Sequence, residues 1–553
     1  MASAAHPADA RPSDTLLATL DPEQRAAATL PDGPALIIAP AGSGKTTTLI
    51  ARLGVLLDRG VSPERIVVAT FNREAAQELA ERIQSRLVPS NPSAARIEVR
   101  TLHALARQIV VEIRGPRPLV SDRLPMLRAV LRRAVLEAGE DGAQLPPITE
   151  LDTQISALKV EGRPPAHPAL VEAYRGLLAS RGAMDFDDLV AGACEALEAD
   201  RRACTRWQAR FTHLCVDEFQ DVDAAQLRLV RLLAEPERNL FVVGDDDQTI
   251  YAWRLADVRR ILSFETSYPG ARRVQLATNY RCPAPVVAAS RRLIGVNQER
   301  FAKRIDASRE PGGAGTILAF PTTPTDWADR LASLARREAG AGRTVCFLAR
   351  TRTELVPVLL SLVRAGEPHT TSVPAPVQAE AVQAIVRAAR QLPAEAQPFQ
   401  AVLTLRARHG WRRSDGDDAI GDEEHAAIDA LLGWAVGFRR LDAFLVAHDA
   451  AVARLEALRR PNAAIELATV HGAKGREWQT VVLLGMERDR FPNRRALVNA
   501  TDPARALEEE RRLAYVALTR PTRRLVLAFD PARPSRFLVE AGLVAPGGAR
   551  ASG

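Results

Sequence analysis

Residues 35–57 read ALIIAPAGSGKTTTLIARLGVLL: an apolar strand-like run, a Gly/Ser turn carrying a lysine, and an apolar run of helical length. That order fixes a unit of α/β type, and it also carries chemistry. Backbone N–H groups at a helix N-terminus close around an anion, and a Gly-rich turn lets the chain approach it. In such a turn Ala41, Gly42, Ser43, Gly44, Lys45, Thr46 and Thr47 cradle phosphates. Lys45 would reach the β/γ-phosphates and the Thr46 hydroxyl would ligate Mg²⁺. Ala39 stands where the P-loop pattern has its first glycine, so the short pattern is met only in part. The strand and helix on either side supply the rest, against the alternative of a chance GSGKT in a surface loop.

Further apolar runs repeat the theme: IVVAT (66–70), HLCVDE (213–218), LFVVGD (240–245), VCFLAR (345–350) and TVVLLGM (480–486). Continuous apolar runs separated by helix-length stretches predict strands of parallel sheets, buried on both faces. They fall into an early and a late group, which predicts two α/β lobes, and 553 residues are too many for one core. Between 104 and 184 the pattern turns helical; LRAVLRRAVLEAG (127–139) puts Leu127, Val130, Leu131, Ala134 and Val135 on one face. A second helical region spans 371–462, with SDGDDAIGDEE (414–424) as an exposed loop. The predicted organisation is a disordered tail over 1–14, a first lobe from 15–103 and 185–276 with a helical insertion over 104–184, a second lobe from 277–370 and 463–540 with an insertion over 371–462, and a tail over 541–553.

The chain offers no run of about 18 apolar residues, so no membrane span or membrane partner is expected. The first residues, MASAAHPADARPSDT, lack the apolar core of a signal peptide. Five cysteines occur, none in a C-x-x-C pair, which argues against zinc or iron–sulfur ligation and for reduced thiols in the cytoplasm. A net charge of +7 permits a polyanionic partner without requiring one.

Two acidic segments complete a phosphate-transfer constellation. HLCVDEFQD (213–221) is an apolar strand ending in two carboxylates. Asp217 is placed to hold Mg²⁺ and Glu218 to orient or deprotonate the attacking water. GDDDQTIYAWR (244–254) puts three carboxylates, an amide, two aromatic rings and a guanidinium in one short span.

VDEFQDVDAAQ (216–226) followed by VGDDDQTIYAWR (243–254) resembles the superfamily 1 helicases of the UvrD/Rep/PcrA type. Other motifs of that family follow in order: LDPEQ (20–24), TFNREAA (70–76), TLHAL (101–105), MDFDDL (184–189), ATNYRCP (277–283), ELATVHGAKGREW (466–478) and EEERRLAYVALTR (508–520), so the resemblance runs from about 16 to 530. It implies two RecA-like P-loop NTPase domains, each interrupted by a helical insertion, with ATP and Mg²⁺ as cofactors. It implies that Gln24 reads the adenine, Tyr280 stacks on it, Glu477 holds the ribose beside Gly475, and Gln248 senses the γ-phosphate or the water. Arg281 and Arg520 would reach the γ-phosphate from the second lobe, a role typically worth about 10³–10⁵ in rate. On the nucleic-acid side it implies contacts from Phe71, His103, Tyr251, Trp253, Arg254 and His471, with Tyr251 and Trp253 as a stacking platform. Stacking suits a motor that ignores sequence, because every base has a π-face. The three aspartates then read as a polar network, to which, or to a phosphate, Arg254 could pair, and the segment as a coupling element between ATP and bases.

The chain departs from the family pattern at Glu74, Thr47, Trp478 and Pro521, and most in its shortened second insertion. There RARHGWRR (406–413) and GFRR (437–440), with Trp411 and Phe438, are basic and could touch duplex DNA, or are solvated helix faces. The expected activity is a 3′→5′ helicase on single-stranded and tailed or forked duplex DNA, acting as a monomer or weak self-associate in the nucleoid, in repair or recombination and with repair proteins as partners. The alternatives are a single-strand translocase that strips proteins and unwinds weakly, and a catalytically dead DNA-binding scaffold.

Overall fold

The apolar runs become strands because each is screened from water on both faces. In the computed structural model, which describes residues 12–138, 145–308, 315–371, 375–408 and 419–545, the early group forms β1 (Ala35–Ile38), β2 (Ile66–Thr70), β3 (Glu98–Thr101), β4 (His213–Val216), β5 (Leu240–Gly244) and β6 (Arg272–Gln275). They pair in parallel in the order β3-β2-β4-β5-β1-β6. Every residue of β1, β2, β4 and β5 is buried. The edge strands β3 (EVRT) and β6 (RRVQ) are polar and partly exposed, so no apolar run announces them, and their charges blunt the open edges.

The late group forms a second all-parallel sheet, from β7 (Ile317–Pro321), β8 (Val345–Ala349), β9 (Thr370–Thr371), β10 (Ile465–Thr469), β11 (Trp478–Leu483) and β12 (Pro521–Phe529), in the order β7-β12-β11-β8-β10-β9. The two sheets sit in two compact units. The first comprises residues 1–280 and 297–308, the second 281–296 and 309–553. The division differs from the expected boundary at 277. Asn279 and Tyr280 bond to the Ala41 and Gly42 carbonyls, and Thr278–Asn279 pairs in parallel with Asp306–Ala307, which together hold both segments in the first unit.

The helix Leu102–Arg114 was expected, from residue 104, to open the first insertion. Its stripe of Leu102, Leu105, Ala106, Ile109 and Val110 instead joins the core of the first sheet, with Val190, Ala193 and Leu197 of the helix Phe186–Ala199. The insertion itself is the helices Leu124–Ala138, Ile148–Glu161 and Pro168–Ser180 around Leu127, Val130, Leu151, Ile155 and Tyr174. Val135, expected on the inward face, is 55% exposed; in this helix full burial ends at Val130, and Leu131 and Ala134 are half-buried.

The second insertion has its own core, in which Val382, Ile385, Val402, Ile428, Leu431 and Phe444 meet from four helices, Glu380–Ala389, Pro398–Arg408, Ala419–Ala435 and Leu441–Leu458. Phe438, half-buried, packs edge-on against Phe444 at 5.5 Å on the flank of that core. Trp411 and residues 414–418 of the expected loop lie outside the described residues, as do 1–11 and 546–553 of the expected tails. The described parts of those tails are ordered by packing. Residues 12–14 begin the helix Pro12–Ala18, where the Ser13 N–H donates to Asp58 Oδ2 at 3.1 Å, and Ala541 and Val544 are buried.

Candidate functional site

β1 stops at Ile38 and the helix Lys45–Asp58 starts seven residues later, so the turn between them must reverse tightly. Gly42 and Gly44 make it possible with φ of 71° and 79°. At Gly44 a Cβ would also lie 2.5 Å from Gln24 Nε2, so a larger residue would displace the Gln24 amide as well as strain the backbone. The Gln24 amide donates to the Ser43 carbonyl at 2.9 Å and its oxygen accepts from the Asp21 N–H at 3.2 Å. Gln24 thus braces the turn from the capping box of the helix Pro22–Ala28. On the other side the Tyr280 N–H donates to the Gly42 carbonyl at 2.8 Å and Asn279 Nδ2 donates to the Ala41 carbonyl at 2.8 Å. The Tyr280 ring is 40% exposed, and its hydroxyl donates to Asp21 Oδ2 at 2.6 Å.

Beside the turn, β4 delivers Asp217 and Glu218. The Asp217 N–H is tied to the Ala69 carbonyl at 2.9 Å, and Glu218 takes a left-handed φ of 53°. That twist brings Glu218 Oε1 to 3.4 Å from Lys45 Nζ. Burial first, and the Glu218 carboxylate second, push Asp217 up to about 7 against the pull of Lys45. The residues fit a magnesium nucleotide. Asp217 and the Thr46 hydroxyl are hard oxygen donors, and Mg²⁺ is usually held by one or two such groups plus phosphate oxygens and water. The buried Ser43 Oγ, which has no hydrogen-bond partner among the described residues, suits a phosphate oxygen.

From Glu218 a path runs to the acidic segment. Gln220 Nε2 donates to Glu218 Oε2, and Gln220 Oε1 accepts the Asp245 N–H at 3.0 Å. Asp245 Oδ2 then accepts from Gln248 Nε2 at 2.8 Å. Gly244 leaves room for this amide, since a Cβ there would stand 2.7 Å from Gln220 Oε1. Asp245, Asp246 and Asp247 are completely buried and form the expected polar network, but its cations are Lys303 and Arg300 rather than Arg254. Burial raises Asp247, but Lys303 and Arg300 outweigh it and hold its carboxyl below the usual range.

Past Gln248 the same segment turns outward. Tyr251 stacks on Phe71, and Trp253, 63% exposed, carries the Arg254 guanidinium 4.7 Å above its ring. Trp253 and Arg254 open onto a groove of about 610 Å³ lined also by Phe71, His103, Phe186 and Asp187. The Phe186 ring meets His103 edge-on at 6.0 Å. Burial lowers the His103 pKa, with Asp187 pulling the other way.

Within the second unit, Arg281 Nε donates to Glu477 Oε2 at 2.6 Å. Arg520 is buried, its Nε on the Val516 carbonyl at 2.8 Å and another nitrogen on the Arg476 carbonyl at 3.2 Å. Thr519 lies between them, its carbonyl reached by Arg281 at 3.5 Å and its hydroxyl by Arg520 at 3.0 Å. Gly475 takes φ 82° just before Arg476 and Glu477. His471 starts a single 3₁₀ turn, His471–Ala473.

The structure therefore gathers Gln24, the phosphate turn, Asp217, Glu218, Gln248 and Tyr280 in the first unit, and Arg281, Glu477, Gly475, Arg520 and His471 in the second. Sequence reasoning missed Gln220, Asn279, Phe186, Thr519 and Lys303 in the site, and Arg300 as a structural clamp on Asp247 outside it. Phe186 had a signal, an aromatic inside the quoted segment MDFDDL. Lys303 had none, being 58 residues from Asp245 in a stretch without periodicity.

Comparison with known proteins shows the family. Residues 20–114 and 151–269 match the UvrD/REP helicase N-terminal domain, and residues 441–530 match the UvrD-like helicase C-terminal domain. ATP-dependent DNA helicase UvrD2 of Mycobacterium tuberculosis is 29% identical over 95% of this chain and 82% of its own length. ATP-dependent DNA helicase PcrA of Bacillus subtilis is 28% identical over 93% and 83%. PcrA of Staphylococcus aureus reaches 35% identity, over 52% of this chain and 42% of its own.

Proposed function

The chain belongs to the UvrD/Rep helicase family, and we propose that this ATP-dependent DNA helicase moves 3′→5′ on single-stranded DNA and unwinds tailed or forked duplexes. One observation carries the reading: an unbroken path of polar contacts leads from Lys45 through Glu218, Gln220 and Asp245 to Gln248, in the segment that exposes Trp253 five residues later. A change at the phosphate end of so short a segment is passed to its aromatic end, because the segment is pinned by buried acids and cannot absorb the change locally.

In this proposal Lys45 binds the β/γ-phosphates and Thr46 and Asp217 hold Mg²⁺, which supplies charge neutralisation on those phosphates. Glu218 orients the attacking water and takes its proton, and Gln248 contacts the γ-phosphate or that water. Gln24 and Tyr280 bind the adenine, which requires Tyr280 to give up its bond to Asp21 for a stacked position. Glu477 and Gly475 hold the ribose, and Arg281 and Arg520 neutralise charge developing on the γ-phosphate. Phe71, His103, Tyr251, Trp253, Arg254 and His471 engage the strand. We assign the protein to repair or recombination on nucleoid DNA, with repair proteins as partners and the monomer or a weak self-associate as the active form. Among the described residues no helix is long and apolar enough to cross a membrane.

The small second insertion favours a second reading, a translocase that displaces proteins from single strands and unwinds weakly. ATPase with and without single-stranded DNA, run beside unwinding of 3′- and 5′-tailed duplexes and displacement of a strand-bound protein, separates the two. DNA-stimulated ATPase with unwinding from 3′ tails is expected. Preference for 5′ tails overturns the direction, strong unwinding by the isolated monomer eliminates the second reading, and absence of ATPase overturns both.

A further inference from the structure

The chain leaves the first unit after Tyr280, returns at Asn297, and leaves again after Ser308. The returning strap, residues 297–308, has only the two-residue pairing of Asp306–Ala307 as regular structure. Its side chains hold it in place. Lys303, whose side chain is fully buried, spends one N–H on each of three buried carboxylates: Asp245 Oδ1 at 2.6 Å, Asp246 Oδ1 at 2.6 Å and Asp247 Oδ2 at 2.8 Å. Arg300 clamps Asp247 through both oxygens, at 2.9 and 2.8 Å, and the Phe301 N–H donates to Asp246 Oδ2 at 2.9 Å. Three adjacent buried carboxylates repel one another, and an ammonium with three donors is the compact group that can answer all of them at once.

If the strap needed only an anchor, the Arg300–Asp247 clamp would serve. Lys303 does something else: it fixes Asp245, and Asp245 is the branch point of the site. One Asp245 oxygen is on Lys303, the other on Gln248 Nε2, and its N–H is on the Gln220 amide that also holds Glu218. Without Lys303 the Asp245 Oδ1 oxygen would keep only the longer bond from the Asp247 N–H, at 3.3 Å, and a carboxylate held so weakly could turn away from Gln248. We propose that Lys303 is a positioning residue for ATP hydrolysis, holding Asp245 so that Gln248 keeps its orientation and Gln220 holds Glu218. The proposal rests on the ATPase reading above. Lys303 touches no nucleotide itself; of its three carboxylate partners, Asp245 is the one that reaches Gln248 and Gln220.

The test compares three variants of the full chain in DNA-stimulated ATPase, fluorescent-nucleotide binding and thermal melting. Lys303→Met is expected to lower kcat roughly tenfold to a hundredfold, the scale of a misplaced catalytic group, with nucleotide affinity within about twofold of wild type. Because Lys303→Met leaves buried negative charge and can fail to fold, Asp245→Asn is the second variant. It removes buried charge while offering an amide group that cannot accept from both neighbours, and it should show the same loss of kcat at unchanged nucleotide affinity. Arg300→Lys is the control. It weakens the clamp on Asp247 and should lower the melting temperature while keeping kcat within about twofold. Lys303→Met and Asp245→Asn with wild-type kcat, or Arg300→Lys losing kcat in the same proportion to melting temperature, would overturn the positioning role and leave Lys303 a structural latch. An inactive wild type would instead sink the ATPase reading itself.

Discussion

The Tyr251 ring lies flat against Phe71, with centroids 4.8 Å apart and planes 19° apart. Each ring thereby uses one face on the other, while Trp253 meets Tyr251 only by an edge at 6.3 Å and stays largely exposed. The pair reads as a support and Trp253 as the surface offered to a base. Trp253→Ala should weaken single-strand binding roughly tenfold to a hundredfold, the worth of one or so stacked bases at about 1–3 kcal/mol each. It should lower DNA stimulation more than basal turnover. Phe71→Ala should cost less in affinity, because Tyr251 remains. Anisotropy titrations with short oligonucleotides measure both, and an unchanged Trp253→Ala affinity removes that residue from the platform.

Lys45→Ala takes away the cation that stands 3.4 Å from Glu218 at the mouth of the phosphate turn. The glycines and their φ angles are untouched, so the turn should keep its shape. Expected is a fall of at least about a hundredfold in DNA-stimulated kcat, in line with losing a preorganised charge on the transition state. Single-strand affinity should hold within about twofold, since the groove residues lie elsewhere. Equal turnover in variant and wild type would refute the assignment of the phosphate site.

Much of this was legible in the sequence, and the division is physical. Strands buried on both faces, such as β2 and β5, announce themselves because every position must be apolar. The edge strand RRVQ does not, because half of it meets water. The phosphate turn and the two acidic segments could be read because their chemistry needs residues close together in sequence. Lys303 and Gln220 could not, since their roles come from contacts 58 and 25 residues away, respectively, that only the fold creates. Arg254 shows the converse for one of the two partners the sequence offered, the acidic network. Proximity in sequence to the aspartates suggested a pairing, but the 3₁₀ turn Ala252–Arg254 sends it over Trp253 instead.

Gly244 offers a test of the path through Gln220 that adds no charge and removes no hydrogen bond. Its φ is ordinary, so the penalty of Gly244→Ala is purely steric, a methyl 2.7 Å from both Gln220 Oε1 and Ile261 Cδ1. Overpacking of this kind costs about 1–3 kcal/mol when neighbours must move. The Gln220 amide is the softer neighbour and should yield first, loosening Glu218 and Asp245 together. A lower melting temperature with a kcat reduced several-fold is the expected pair of results. Full kcat at reduced stability would mean that Gln220 can shift without disturbing the site.

His471 sets a pH dependence that can be signed in advance. Burial first, then the charges of Arg350 and Lys474, push its pKa down to about 4. Unfolded, the imidazole should titrate near the ordinary value of about 6.5. Between those values the unfolded chain binds the proton and the folded chain does not, so stability falls as pH drops from about 6.5 toward 4 and this contribution levels off below. Above about 6.5 both states are neutral and the contribution is constant. His471→Gln should flatten that part of the melting-temperature profile. The same argument makes the ring neutral at pH 7, so a contact with the strand would come through the ring face or a hydrogen bond, not through charge. The salt dependence of single-strand binding, about 0.7 in logarithmic slope for each neutralised phosphate, should then be the same for His471→Gln and wild type. A slope reduced by that amount in the variant would mean that His471 meets the strand as a cation, against the direction its surroundings impose.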